Sequence, residues 1–180
     1  MEFDFSRNYF ELFELEQRYA IDADKLAGRY QQLQSEFHPD RFVNASDQDR
    51  RVAIQVTTFI NEAHDTLRDE QSRARYLLQL QGIPFDSDQD TTQDMDFLVA
   101  QMNLREQIDE VDQQKEPLDR LDELALEARE EKNKLMQAYQ HQYAAKSWEE
   151  AKDTVLKMQF FTRLQQQINN KQEALENELL

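Results

Sequence analysis

His38 and Asp40, separated only by Pro39, are the residues whose types and spacing most suggest chemistry. An imidazole beside a carboxylate can serve as a general base and its orienting acid. That use needs company, and none accompanies them: there is no cysteine, no glycine-rich loop and no paired nucleophile. His64 and His141 fall on separate helical stretches without ligand spacing, so neither a metal site nor a cofactor is expected, and the chain does not read as an enzyme. The other use of such a pair is recognition. Proline disfavours helical dihedrals at His38 and fixes its own φ, so a preceding helix should stop there and the bend should be stiff. An imidazole and a carboxylate on a short rigid bend are a display that a partner protein can read.

The flanking elements must position that display. Upstream, Leu26, Tyr30, Leu33 and Phe37 recur as one apolar stripe of a helix, with Asp22 or Asp24 as its cap. Downstream, Val52, Val56, Phe59, Ile60, Ala63 and Leu67 form a second stripe. Ser46 followed by Asp49 reads as a variant capping box for that helix. A short apolar segment, Tyr9-Phe10-Glu11-Leu12-Phe13, precedes both, and Arg73–Leu80 reads as a fourth helix.

This order resembles the J-domain of DnaJ-type co-chaperones. The likeness is carried by Tyr9–Phe13, by Phe37-His38-Pro39-Asp40-Arg41-Phe42, by Ile60–Leu67 and by Arg73–Leu78. It implies that His38, Pro39, Asp40 and Arg41, with Lys25 and Arg29 on the preceding helix, bind a DnaK-type chaperone. Ser35 and Glu36 weaken the basic end of that helix, and Arg41 partly compensates. Lys25 and Arg29 at i and i+4 also suit the wet side of an amphipathic helix equally well.

Bulk properties narrow the partners. Two glycines and three prolines in 180 residues leave few turns for strands, so the fold class is all-α. A formal net charge of −16 disfavours nucleic acid and anionic membrane surfaces. No apolar run approaches membrane-spanning length, and the acidic start Met1-Glu2-Phe3-Asp4 lacks a signal peptide's pattern, so a cytoplasmic protein is expected.

Gly82-Ile83-Pro84 punctuates the chain. We expect a J-domain over 1–82 (a helical hairpin with short flanking helices), a linker over 83–94 and a C-terminal three-helix bundle over 95–180. The helices should run about Gln93–Asp112, Pro117–Tyr143 and from Trp148 onward, with Ser147 as a cap. On the first, Phe97, Ala100, Leu104, Ile108 and Val111 share a core face, while Met95, Leu98, Val99 and Met102 point away from it. On the third, Trp148, Ala151, Val155, Met158, Phe161 and Ile168 share the core, and Leu156 and Phe160 lie on the far side. Leu98, Val99, Met102 and Phe160 should then form one exposed apolar patch, the usual mark of a binding surface.

The runs Phe97–Glu106 and Val155–Phe161 behind a J-domain resemble the HscB family, the J-domain co-chaperones of iron–sulfur cluster assembly. The resemblance spans roughly Asn8 to Glu173. It implies that the bundle binds an iron–sulfur scaffold protein of the IscU kind through Leu98, Val99, Met102, Asn103, Glu106 and Phe160. It implies further that the J-domain engages HscA, a DnaK-type ATPase, and stimulates its hydrolysis. Gln159 stands where some members carry arginine and Asn103 where some carry glutamate, so charge pairing to a scaffold would differ at those positions. The competing reading is a general J-domain co-chaperone for unfolded clients, although such proteins often carry glycine-rich linkers or cysteine zinc repeats, both absent here.

Overall fold

A computed structural model describes residues 3–86 and 90–178. Seven α-helices occupy them: α1 (Tyr9–Leu12), α2 (Ala23–Phe37), α3 (Asp47–Arg68), α4 (Glu70–Leu80), α5 (Met95–Asp109), α6 (Pro117–Ala144) and α7 (Trp148–Glu178). Short 3-10 turns cover Pro39–Phe42 and Val111–Gln113, and no strand occurs among the described residues. This is the all-α architecture expected from the sequence. Ser87, Asp88 and Gln89 of the expected linker lie outside the described residues, as do Met1, Glu2, Leu179 and Leu180. The chain divides into two compact units, Met1–Gln81 and Gly82–Leu180.

In the first unit α2 and α3 form an antiparallel hairpin. Tyr30 donates a hydrogen bond to Asn61 (3.0 Å) and Thr57 to the Phe37 carbonyl (3.1 Å), so α2 runs against the sense of α3 and its last residue lies beside the middle of that helix. Leu26 and Leu33 meet Val56, Ile60, Ala63 and Leu67 in a core closed by Phe10 and Phe13. Tyr30 and Phe37 of the expected stripe are only half-buried. Side-chain caps start each helix: Asn8, Asp22, Ser46 and Asp69 accept from backbone amides of the first turn. Each such cap typically stabilises by about 1 kcal/mol. Asp22, not Asp24, caps α2. Helix α4 starts at Glu70, three residues before the expected Arg73. Buried Arg73 donates to the Leu67 carbonyl at the end of α3, and its guanidinium lies 5.0 Å from the Tyr19 ring centroid.

In the second unit α6 and α7 are antiparallel: Thr154 donates to Gln142 near their junction (2.8 Å) and Gln172 to Asp122 at the far end (2.7 Å). Helix α5 runs in the same sense as α7, because Lys157 reaches Asp94 (2.8 Å) and Gln167 reaches Asp109 (3.1 Å). The result is an up-down-up three-helix bundle with a core of Ile108, Val111, Leu121, Leu124, Leu164 and Ile168. Pro117 takes the first position of α6, as expected. Between α6 and α7 the amide of Lys146 donates to the Tyr143 carbonyl (3.1 Å) and that of Ser147 to Gln142 (2.9 Å), with Lys146 at φ 59°. This is a Schellman closure with lysine where glycine is usual. Trp148 meets Tyr143 across that corner, ring centroids 5.5 Å apart.

One expectation is corrected. Helix α5 is shorter than Gln93–Asp112: Asp94 caps it, and a 3-10 turn takes over at Val111. The described part of the stretch expected as a linker over 83–94 makes contacts with the second unit. Asp90 pairs with Lys152 of α7 at 2.9 Å, and Thr92 is buried. Its polar residues find lysine partners on α7, which sequence periodicity does not reveal.

Candidate functional site

Two surfaces stand out, one in each unit. The first is the bend after α2. Its helix ends at Phe37, and His38 is extended (φ −57°, ψ 130°), as the following proline requires. Pro39–Phe42 then closes a 3-10 turn, with the Arg41 amide donating to the His38 carbonyl at 3.0 Å. The Arg41 guanidinium donates to the Ser35 carbonyl (2.9 Å), and Thr57 holds the Phe37 carbonyl, so both sides of the bend are tied down. The Asp40 amide donates to His38 Nδ1 at 3.3 Å. With Nδ1 accepting, a neutral imidazole carries its proton on Nε2. The side chains themselves are displayed: His38 is 52% exposed and Asp40 86%, with Nδ1 and Oδ2 3.6 Å apart.

Lys25 and Arg29 stand four residues apart on α2. Both turn toward Glu14: the Lys25 ammonium donates to its carbonyl, and Arg29 pairs with its carboxylate at 2.7 Å. Glu14 sits at φ 55° just after α1, which aims it at α2. Arg29 is half-buried, whereas Arg41 is exposed.

The second surface is the outer face of α5. Ile108 is its only buried residue, and Phe97 and Leu104 are half-buried against the core. Met95, Val99 and Met102 are 69%, 54% and 70% exposed, an apolar row that its own unit leaves uncovered. Asn103 and Glu106 are exposed beside it, and Leu98 is half-buried. Phe160 departs from expectation. It is 6% exposed and packs with Phe97 (5.7 Å) and Phe161 (5.1 Å), while the Arg105 guanidinium lies 5.3 Å from its ring centroid. It floors a depression of about 110 Å³ lined by Leu98, Gln101, Arg105 and Leu156. Its burial has a physical reason: α7 is covered by both α5 and α6, so its core arc is wider than one stripe. Ala100, expected in the core, is exposed.

The α5 surface is pinned at its start. The Asp94 carboxylate caps the helix through the Phe97 amide (3.0 Å) and accepts from Lys157 (2.8 Å). The Lys157 hydrogen bond is the main reason that the Asp94 carboxyl titrates below the usual carboxylate range. Among the described residues no cluster of three or more histidine, aspartate or glutamate side chains is placed to hold a metal ion. No helix among them is long and apolar enough to cross a membrane.

A helical hairpin displaying His-Pro-Asp, joined in one chain to a helical bundle, defines the class: J-domain co-chaperones of two-unit build. The family model described as the HSCB C-terminal oligomerisation domain matches residues 93–169. The chain is 39% identical over 178 residues to the co-chaperone protein HscB homolog of Vibrio cholerae serotype O1 (strain M66-2), covering 96% of this chain and 99% of that one. The chain belongs to the HscB family of co-chaperones. Among solved structures, chaperone HscB from Vibrio cholerae superposes with a TM-score of 0.83 at 36% identity, over 97% of this chain and all of that one. The crystal structure of the human co-chaperone HscB gives a TM-score of 0.86 at 29% identity, over 95% of this chain and 85% of its own. A model of the SCCH domain of ubiquitin-activating enzyme also matches, over residues 5–116. That span runs through the division at Gln81 and ends before α6, so it corresponds to neither unit.

Proposed function

We propose that this chain is a cytoplasmic co-chaperone that couples an iron–sulfur scaffold protein of the IscU kind to a DnaK-type ATPase of the HscA kind. The reading is carried by the coexistence in one chain of a displayed His-Pro-Asp bend and an uncovered apolar row on α5. The chain contributes no covalent step. His38, Pro39, Asp40 and Arg41 bind the chaperone in its ATP state and favour its hydrolysis-competent arrangement. Binding shifts such an equilibrium only through unequal affinity for the two states, so the bend must fit one of them better. Arg41, with the part of Lys25 and Arg29 that Glu14 leaves unsatisfied, steers and orients the encounter. Met95, Val99 and Met102 bury themselves against the scaffold, with Leu98 beneath and Asn103 and Glu106 at the rim. Phe160 supports that surface from below. Joining both sites in one chain raises the concentration at which scaffold and ATPase meet.

The test is ATPase turnover of the chaperone with this chain, with and without scaffold. Asp40→Asn should abolish stimulation while leaving scaffold binding intact, because Asp40 is 86% exposed and carries no packing. Unchanged stimulation by Asp40→Asn would refute the role of the bend.

A further inference from the structure

Phe3, Asp4 and Phe5, ahead of α1, pack over the base of the His-Pro-Asp bend. Asp4 accepts hydrogen bonds from the Ser6 amide (3.0 Å) and hydroxyl (2.6 Å), a local turn that brings Phe3 and Phe5 to 4.8 Å. Both rings lie edge-on to Phe59 of α3, at 5.9 and 5.6 Å. Phe3 also meets the Phe37 ring, at 5.3 Å and 83°. Phe37 is the last residue of α2 and is bonded directly to His38. The last turn of a helix has carbonyls without intrahelical donors, so its order depends on contacts from outside. Thr57 supplies one such contact, to the Phe37 carbonyl; the Phe3 ring supplies another, to the Phe37 side chain.

We propose that Phe3 is a positioning residue for the bend: by fixing Phe37 it keeps His38 in the one backbone conformation that presents His38 and Asp40 together. This rests on the proposed role of the bend in stimulating a chaperone. Phe3 touches none of the displayed groups, so it acts on how often the competent conformation is populated, not on what that conformation does. A fall in the competent fraction weakens apparent affinity by the same factor and leaves the saturated rate unchanged.

The experiment titrates a DnaK-type ATPase with the full chain and its Phe3→Ala and Phe3→Tyr variants. For Phe3→Ala, the half-saturating concentration should rise about two- to tenfold, the value of an edge-on aromatic contact, with the maximal rate unchanged. Phe3→Tyr keeps the ring and should behave as wild type. In parallel, amide exchange at Asp40 and Arg41 should quicken in Phe3→Ala while that of Ile60, in the core of α3, stays constant. Wild-type half-saturation by Phe3→Ala, or quickening at Ile60 in step with Arg41, overturns the proposal. A wild-type chain that fails to stimulate, or stimulates equally as Asp40→Asn, refutes the reading of the bend instead; the exchange measurement still decides whether Phe3 orders it.

Discussion

The His-Pro-Asp bend and the outer face of α5 are both exposed, yet they are held in opposite ways. The bend is polar and fixed by directional bonds: Arg41 to Ser35, Thr57 to Phe37 and the Arg41 amide to His38. The α5 face is apolar and rests on few buried contacts, with ion pairs to α7 holding Asp94 and Asp112. A polar display pays off only when its donors and acceptors are preset, so stiffness is built into it. A row of two methionines and a valine gains from any close fit, and methionine adapts its shape cheaply. The two surfaces therefore suit different partners and should fail differently when perturbed.

The largest effect should come from beneath α5. Phe160→Ala removes a buried ring on which Phe97 and Arg105 lie, and should destabilise the second unit by about 3–5 kcal/mol. Calorimetry should show that loss, and scaffold affinity should fall with it. A contact residue behaves otherwise. Met102→Glu, at a position 70% exposed, should leave the melting temperature unchanged and weaken scaffold binding about tenfold or more. Its stimulation of the ATPase without scaffold should equal wild type. If Phe160→Ala proved as stable as wild type while losing scaffold, the distinction between support and contact would collapse.

Acid should separate the units more gently. His64 stacks on Tyr30 at 3.9 Å, and burial, with Arg68 nearby, lowers its pKa below 6.5 against the opposing pull of Asp65. The unfolded chain then takes the proton more readily, so this contribution is complete above about 6.5 and is lost as pH falls through the window beneath it. Asp94 is depressed below 3.8, chiefly by Lys157, so its contribution is present above that value and disappears only at lower pH. Amide exchange followed down in pH should loosen the α2–α3 hairpin first and the start of α5 later. Salt should shrink the second effect, because Asp94 is exposed. The smallest change concerns the α6–α7 corner: Lys146→Gly, at φ 59°, should raise stability by up to about 1 kcal/mol in a denaturant melt.

Much of this was legible from local rules. The caps at Asp22 and Ser46, the stop at His38 and Pro117 at the head of α6 follow from backbone chemistry that acts within a few residues. The exposure of Met95, Val99 and Met102 followed from angular phase, because α5 packs along one narrow side. Phase failed at Phe160, since it treats each helix as having one neighbour and α7 has two. The Glu14 contacts of Lys25 and Arg29 were hidden for another reason. Glu14 occupies a left-handed conformation that glycine usually signals, and the chain spends neither of its two glycines there. The anchoring of Phe37 by Thr57 and Phe3 left no signal either, because it joins segments far apart in sequence.

The corner at Trp148 has a practical consequence. It holds the chain's one tryptophan, edge-on to Tyr143 of the second unit. Indole emission therefore follows the packing of that corner in the helical bundle, a native reporter placed between α6 and α7. One fluorescence trace set against a circular-dichroism trace would compare the loss of that corner with the loss of helix without any label.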